Sequence, residues 1–133
     1  MSQATVEYMQ QVCDALNRGD QARLEVLLRE RLDPSFEFHP LAPGNVRRGF
    51  SGIQEFFEDM QEVWEEYTQE VEEMIDAGDE VVVVLRIRAR ATGSGVPVAQ
   101  RSFWVWSFRG GKAVRATSFE SRIEALEAAG PLG

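Results

Sequence analysis

The sequence predicts an α+β fold, with helices in the first half of the chain and a long antiparallel meander in the second. Apolar residues recur every three or four positions up to about residue 64, which is typical of amphipathic helices. After that point the period changes to two, with glycine-rich turns between the apolar runs, which is typical of strands joined by hairpins. With 133 residues and no composition break, the chain is predicted to be a single domain, 1–133.

Two helices open the chain. The first carries a stripe of apolar residues and ends at "NRGD", where Gly19 is a natural C-terminal stop. Asp20 is placed to cap a short second helix, because its carboxylate can accept from the free N–H groups of the first turn. The stretch "LDPSFEFHP" predicts a turn and then a short strand, Phe36 to His39, and "LAPGNVRRG" predicts a loop.

A third helix is predicted to open at a capping box formed by Ser51 and Gln54. Its apolar stripe contains Ile53, Phe56, Phe57, Met60 and Trp64. These residues are core by spacing, and in a fold with an internal cavity the same residues would also form its wall.

Strands dominate the second half. Residues 69–75, "EVVVVLRIRARA", "VAQRSFWVWSF" and "AVRATSFE" are the predicted strands, and "AGD", "TGSGVP" and "RGGK" are the turns. Alternation in "LRIRARA" sets Leu85 and the apolar residues after it on one face, and it sets Arg86, Arg88 and Arg90 on the other. Ser121 and Glu124 form a capping box for a short C-terminal helix that ends at Gly130.

Composition limits the function. The formal charge of −8 argues against nucleic acid or an anionic membrane as a partner. The single cysteine, Cys13, excludes an internal disulfide and favours a reducing, cytoplasmic compartment. One cysteine and one histidine do not supply a zinc site within one chain, so neither a metal nor a cofactor is expected.

The stretch "RSFWVWSF" is apolar on both faces, so both faces are expected to be covered. This stretch belongs to the predicted strand "VAQRSFWVWSF". Alternation along the strand places one set of side chains on the inward face of the sheet: Val98, Gln100, Ser102, Trp104, Trp106 and Phe108. The inward face is thus an aromatic wall that contains few groups able to do chemistry.

The order of "ALNRGD", "FEFHP", "RRGFSGIQEFF", "AGDEVVVVLRIRARATGSGVPV", "FRGGKAV" and "EALEAAG" resembles that of SnoaL-like proteins. That family belongs to the nuclear transport factor 2-like superfamily, which includes ketosteroid isomerases and polyketide cyclases. The resemblance spans about residues 5–130 and implies a cone of strongly bent sheet closed by three helices around an apolar pocket. It also implies a homodimer paired through the outer face of the sheet. Such a partner would cover the outer side of the apolar strand.

The resemblance does not extend to the catalytic residues of two well-defined groups in that superfamily. Where the isomerases place a tyrosine, a base aspartate and a protonated aspartate, this chain has Val12, Phe38 (or His39 after a one-residue slip) and Trp104. Where limonene-epoxide hydrolases use an Arg-x-Asp pair, it has Ser102 and Trp104. The fold alone therefore does not identify the reaction.

Two residues remain as candidate acid–base groups. His39 is the one histidine, the residue type suited to acid–base chemistry near neutral pH, and it ends a strand at the predicted mouth of the pocket. The preferred alternative is an exposed or hydrogen-bonded strand-end histidine without a role in the pocket. Glu120 has the parity of Ala116 and Ser118, and a carboxylate buried among aromatic rings would have a raised pKa. The alternative for Glu120 is a favourable charge at the start of the last helix.

The predicted ligand is a small apolar or aromatic molecule. Ten residues are predicted to line its pocket: Val12, Leu16, Phe38, Phe56, Met60, Trp64, Gln100, Ser102, Trp104 and Trp106. Three functions stay open, namely a binding domain, an isomerase, cyclase or hydratase that works through His39 or Glu120, and a non-catalytic dimerisation module. The three arginines of "EVVVVLRIRARA" are expected on the outer face, paired with acids or with a dimer mate.

Overall fold

The computed structural model describes residues 3–41 and 45–130, and part of the predicted loop after the first strand lies outside these ranges. Within these ranges the structure has four helices and six strands. In order these are α1 (Gln3–Arg18), α2 (Gln21–Arg31), β1 (Leu32–His39), β2 (Arg47–Arg48), α3 (Gly49–Val63), β3 (Trp64–Asp76), β4 (Glu80–Ala91), β5 (Pro97–Arg109), β6 (Lys112–Phe119) and α4 (Arg122–Ala129). The predicted α+β class, with three helices before the meander and one short helix after it, is confirmed.

Two of the three predicted caps are confirmed. The Asp20 carboxylate accepts from the N–H of Arg23, and the Ser121 hydroxyl accepts from the N–H of Glu124. The predicted box of Ser51 and Gln54 is wrong, since α3 begins at Gly49 and its N-cap residue, Arg48, makes no side-chain cap bond. Across the described ranges, none of the helices is long and apolar enough to cross a bilayer.

The six strands form one bent sheet in the order β2-β1-β6-β5-β4-β3. The predicted meander β3–β6 is antiparallel throughout, but β1 pairs with β6 in parallel, so the sheet is mixed rather than wholly antiparallel. β1 also begins four residues earlier than predicted, directly after α2, and β3 begins at Trp64 rather than near residue 69. Trp64 is therefore a strand residue and not the last residue of the helical stripe.

The concave face of the sheet packs against the helices and forms the main core. Val83 and Trp104 are paired across β4 and β5, and both are buried in this core with Phe36 and Phe38 of β1. The helices contribute Met9 and other buried residues of their inward faces. Because Phe36 and Phe38 both point inward, the residues between and after them in β1 point to the opposite face of the sheet.

The convex face carries a second apolar cluster, which α4 covers. Val82, Val84, Phe103 and Val105 are at most 9% exposed, and they pack with the buried Ala125 of α4. The structure thus gives a different reason for a strand that is apolar on both faces: the chain's own C-terminal helix covers the side that was expected to need a partner. Homodimer formation stays a prediction, but the need to cover the outer side of β5 no longer supports it.

Candidate functional site

Two cavities lie between the helices and the concave face of the sheet. The outer cavity, of about 590 Å³, is bounded by the end of α1, by α2, by α3 and by the start of β3. The inner cavity, of about 50 Å³, lies deeper, against β1, β4 and β5. Six residues line both and mark their junction: Leu16, Leu24, Leu28, Ile53, Phe57 and Gln69.

The inner cavity has an aromatic wall. The ring of Phe38 stacks on Trp104, with centroids 4.7 Å apart and planes within 2° of parallel. Phe56 of α3 meets Phe38 edge-on at 4.9 Å. Alternation along β1 and β5 turns these rings inward, and stacked and edge-on pairs fix their positions.

Six of the ten predicted pocket residues line these cavities: Val12, Leu16, Phe38, Phe56, Trp104 and Trp106. The other four, Met60, Trp64, Gln100 and Ser102, lie outside the lining of both. Ser102 is buried and its hydroxyl lies 3.0 Å from that of Ser118, whereas Gln100 is exposed. The predicted inward face of β5 is thus a cavity wall at Trp104 and Trp106 only.

His39 lies on the opposite face of β1 from the cavities, because Phe38 takes the inward position. Its Nε2 is 2.9 Å from a carboxylate oxygen of Glu37, whose other oxygen accepts from Arg48 at 2.7 Å. These hydrogen bonds, from His39 first and then Arg48, lower the pKa of the Glu37 carboxyl. The surroundings of His39 are therefore an ion-pair cluster on the outer surface.

Glu120 is exposed, so the expectation that it faces inward among aromatic rings is wrong. β6 ends at Phe119, and the chain turns there to enter α4. The alternation that gives Ala116 and Ser118 their inward parity does not continue past the end of the strand. Neither predicted acid–base residue lies in the lining of the two cavities.

The outward position of the arginines in β4 agrees with the ion pair of Arg90, which donates to Glu66 on β3 at 3.0 Å. In the next strand Arg101 donates to Glu72 at 2.8 Å. The first pair joins neighbouring strands, and the second reaches from β5 across β4 to β3. Ion pairs between exposed residues contribute little to stability.

Cys13 lines the inner cavity, although it was not among the predicted pocket residues. Burial raises the pKa of the Cys13 thiol to about 11. The group is therefore a neutral thiol at neutral pH, a weak nucleophile in apolar surroundings.

Tyr67 and Gln69 form a polar pair at the junction of the cavities, and the sequence analysis did not identify either residue. Gln69 Nε2 donates to the Tyr67 hydroxyl at 2.9 Å. Tyr67 lines the outer cavity and Gln69 lines both. Burial raises the pKa of the Tyr67 phenol, so this group too is neutral at neutral pH.

The arrangement is suited to holding a molecule with an apolar body. The inner cavity offers rings and aliphatic side chains, and the neutral polar groups lie at its edge toward the outer cavity. Sites of this kind use apolar area for affinity and a few placed polar groups for orientation.

Comparison with known proteins agrees with this geometry. The sequence model of the SnoaL-like domain family matches residues 9–116. No curated protein sequence matches the chain.

Solved structures with the same fold cover nearly the whole chain. An NTF2-like protein from Burkholderia thailandensis E264 has a TM-score of 0.76 at 24% identity, with 98% of this chain and 100% of that one covered. A proposed SnoaL-like polyketide cyclase from Jannaschia sp. CCS1 has a TM-score of 0.71 at 21% identity, with 95% and 90% covered. TerC, co-crystallised with polyporic acid, has a TM-score of 0.70 at 20% identity, with 95% and 98% covered. At these identities the likeness shows the nuclear transport factor 2-like fold alone.

Proposed function

This chain belongs to the SnoaL-like domain family, and from that premise we propose that it binds a small, apolar, ring-containing molecule in the two joined cavities. The observation that carries the proposal is the stacked pair of Phe38 and Trp104 in the inner cavity of about 50 Å³, which shares six lining residues with the outer cavity of about 590 Å³. Flat aromatic walls give favourable offset or edge-on contacts to a ring, and apolar surroundings favour its transfer from water. The co-crystal of TerC with polyporic acid supports such a role for a chain of this fold.

The positions of His39 and Glu120 favour binding over acid–base catalysis by these two residues. A general base must lie within hydrogen-bond reach of the proton that it removes. His39 points away from the cavities and its Nε2 hydrogen-bonds to Glu37, and Glu120 is exposed beyond the end of β6. A pure dimerisation module is also less favoured, because α4 already covers the apolar cluster of the convex face, including Phe103 and Val105.

Filling the junction of the cavities tests the proposal. Leu16 lines both cavities, so a Leu16→Phe variant adds volume where a ligand would pass from one to the other. Leu126 of α4 is also partly buried but belongs to the convex cluster, so Leu126→Phe is the matched control. The probe is 2-acetylnaphthalene, and the readout is saturable quenching of tryptophan fluorescence, to which Trp104 and Trp106 at the inner cavity contribute.

We expect Leu16→Phe to weaken binding by about fivefold or more, since overpacking costs typically about 1–3 kcal/mol. Leu126→Phe should bind the probe as the parent protein does. Absence of saturable quenching in the parent protein, or equal weakening by the two variants, would refute the proposal.

A further inference from the structure

The backbone of β3 is irregular where it meets the cavity. Between the pairs Glu65–Arg90 and Thr68–Arg88, β3 has one residue more than β4, which is a β-bulge. Within the bulge Glu66 has φ = +54°, in the left-handed region, and it is the one non-glycine residue with positive φ among residues 3–41 and 45–130. Bulges redirect the side chains that follow them, and strained backbone of this kind is found at binding and catalytic sites.

The residue that follows the strained position is Tyr67, whose side chain lines the outer cavity. Its hydroxyl oxygen accepts from Gln69 Nε2 at 2.9 Å. A phenol can both accept and donate, so the bond from Gln69 leaves the hydroxyl proton free for another acceptor. Burial raises the pKa of this phenol, which keeps that proton in place at neutral pH.

Two other polar groups of the same lining, Asn17 and Asp20, have structural partners. The Asn17 Oδ1 accepts from the N–H of Val71 at 2.5 Å, and the Asp20 carboxylate accepts from the N–H of Arg23 at 3.0 Å. Both are acceptors held by the fold. Tyr67 differs from these two acceptors because its hydroxyl has a proton to donate, and it lies next to Gln69, which lines both cavities.

The charges around the outer cavity also restrict the ligand. Its lining contains the carboxylates of Asp20, Glu25 and Glu58 but one guanidinium, that of Arg18. Arg18 is itself paired with Asp14 at 3.2 Å, and Glu25 is paired with Arg29 at 3.2 Å, so the negative charge of the lining comes mainly from Asp20 and Glu58. A ligand that enters with a negative charge meets carboxylates of the same sign, at a cost that salt reduces.

We propose that the Tyr67 hydroxyl donates a hydrogen bond to an acceptor oxygen of the ligand, and that the ligand is a neutral ring compound carrying a carbonyl or hydroxyl group. This inference rests on the proposed binding function and names the chemical class that the same site takes. The apolar body lies toward the stacked rings of the inner cavity, and the oxygen lies at the junction beside Tyr67.

Three probes of similar shape test the proposed hydrogen bond and the neutral ligand class. 2-Acetylnaphthalene has a neutral acceptor, 2-ethylnaphthalene has none, and 2-naphthoate is anionic. Each is titrated by tryptophan quenching against the parent protein and Tyr67→Phe. The matched control is Tyr8→Phe, which removes the hydroxyl of the chain's other tyrosine. That hydroxyl donates to the carbonyl of Leu27, and Tyr8 lies outside the lining of both cavities.

We expect Tyr67→Phe to weaken the binding of 2-acetylnaphthalene by about fivefold, the effect of one net hydrogen bond. The affinity for 2-ethylnaphthalene should stay within about twofold of that of the parent protein. Tyr8→Phe should leave the affinities for both probes unchanged. The affinity for 2-naphthoate should rise when sodium chloride is added, because salt screens the carboxylates of the rim.

The possible failures are distinct. Tyr67→Phe could weaken the binding of 2-acetylnaphthalene and 2-ethylnaphthalene equally, or leave the affinity for 2-acetylnaphthalene unchanged. Either result would show that the Tyr67 hydroxyl does not hold the ligand, and it would overturn this inference while the binding function stands. A 2-naphthoate affinity that falls with added salt overturns the neutral class. If none of the three probes quenches the parent protein, the binding function fails and this inference fails with it.

Discussion

Replacing Tyr8 by phenylalanine removes one hydrogen bond from the contact between α1 and α2. The Tyr8 hydroxyl donates to the carbonyl of Leu27 at 2.7 Å, and the side chain is 4% exposed. The ring also meets Phe108 edge-on at 6.3 Å and lies under the guanidinium of Arg31, contacts that a phenylalanine ring keeps. The variant therefore isolates the hydroxyl.

At neutral pH the loss should be about 1–2 kcal/mol, the range for a buried hydrogen bond whose acceptor is left behind. For a chain of this length that corresponds to a fall in Tm of about 4–8 °C. The difference in unfolding free energy between the parent protein and the variant changes sign at alkaline pH. Burial, as the largest cause, raises the pKa of Tyr8 from 10.0 to about 12, so its contribution is complete below pH 10 and is lost as the pH rises toward 12. The parent protein should lose about 3 kcal/mol across that window through this group, and the phenylalanine variant should not.

The two stability curves should thus cross near about pH 11, with the variant the more stable protein above it. The assay is urea denaturation of both proteins in steps between neutral pH and pH 12. Other alkaline titrations, Cys13 among them, occur in both proteins and cancel in the difference. A difference in unfolding free energy that stays constant with pH would refute the assignment of the shift to a buried Tyr8 phenol.

Two further predictions concern the cavity and the strained strand. Cys13, with its thiol pKa raised to about 11, should react with iodoacetamide at pH 8 roughly a hundredfold more slowly than an unperturbed thiol, and saturating 2-acetylnaphthalene should slow it further. Mass spectrometry of the labelled protein measures both rates, and labelling that ignores the probe would place Cys13 away from the bound molecule. Glu66→Val should destabilise the protein by about 1–2 kcal/mol more than Glu65→Val, because a β-branched residue is strained at positive φ. Thermal unfolding compares these exposed neighbours, and equal losses would contradict the left-handed conformation of Glu66.

Local patterns in the sequence account for much of the fold. Asp20 and Ser121 cap their helices with their own side chains, so the signal and its effect are a few residues apart. Alternation in β5 identifies the inward residue Trp104 for the same reason. The start of α3 depends instead on close packing between the helix and the strand before it. A Cβ at Gly52 would lie 2.9 Å from backbone and side-chain atoms of Arg47, so packing of β2 on the helix helps to set where it begins, against the signal of Ser51 and Gln54.

The site residues were harder to predict where regular alternation breaks down. The bulge at Glu66 changes the parity of β3, and nothing in "WEEYTQEVEE" distinguishes an irregular strand from the end of a helix. Tyr67 was therefore missed. Glu120 was misplaced for the related reason that β6 ends one residue before it. The covering of Phe103 and Val105 by α4 depends on tertiary packing, which the amphipathic pattern of a short helix does not specify.

The parallel pairing of β1 with β6 has a consequence for how the protein folds. The contacts between β3, β4, β5 and β6 are hairpins, which close short loops, whereas Phe38 and Ala116 pair across about eighty residues of chain. Non-local contacts of this kind form slowly, so the meander is expected to assemble before β1 and the helices dock on it. The stack of Phe38 on Trp104 joins these two parts. A molecule bound against that stack has its site only in the completed fold and stabilises that state by mass action.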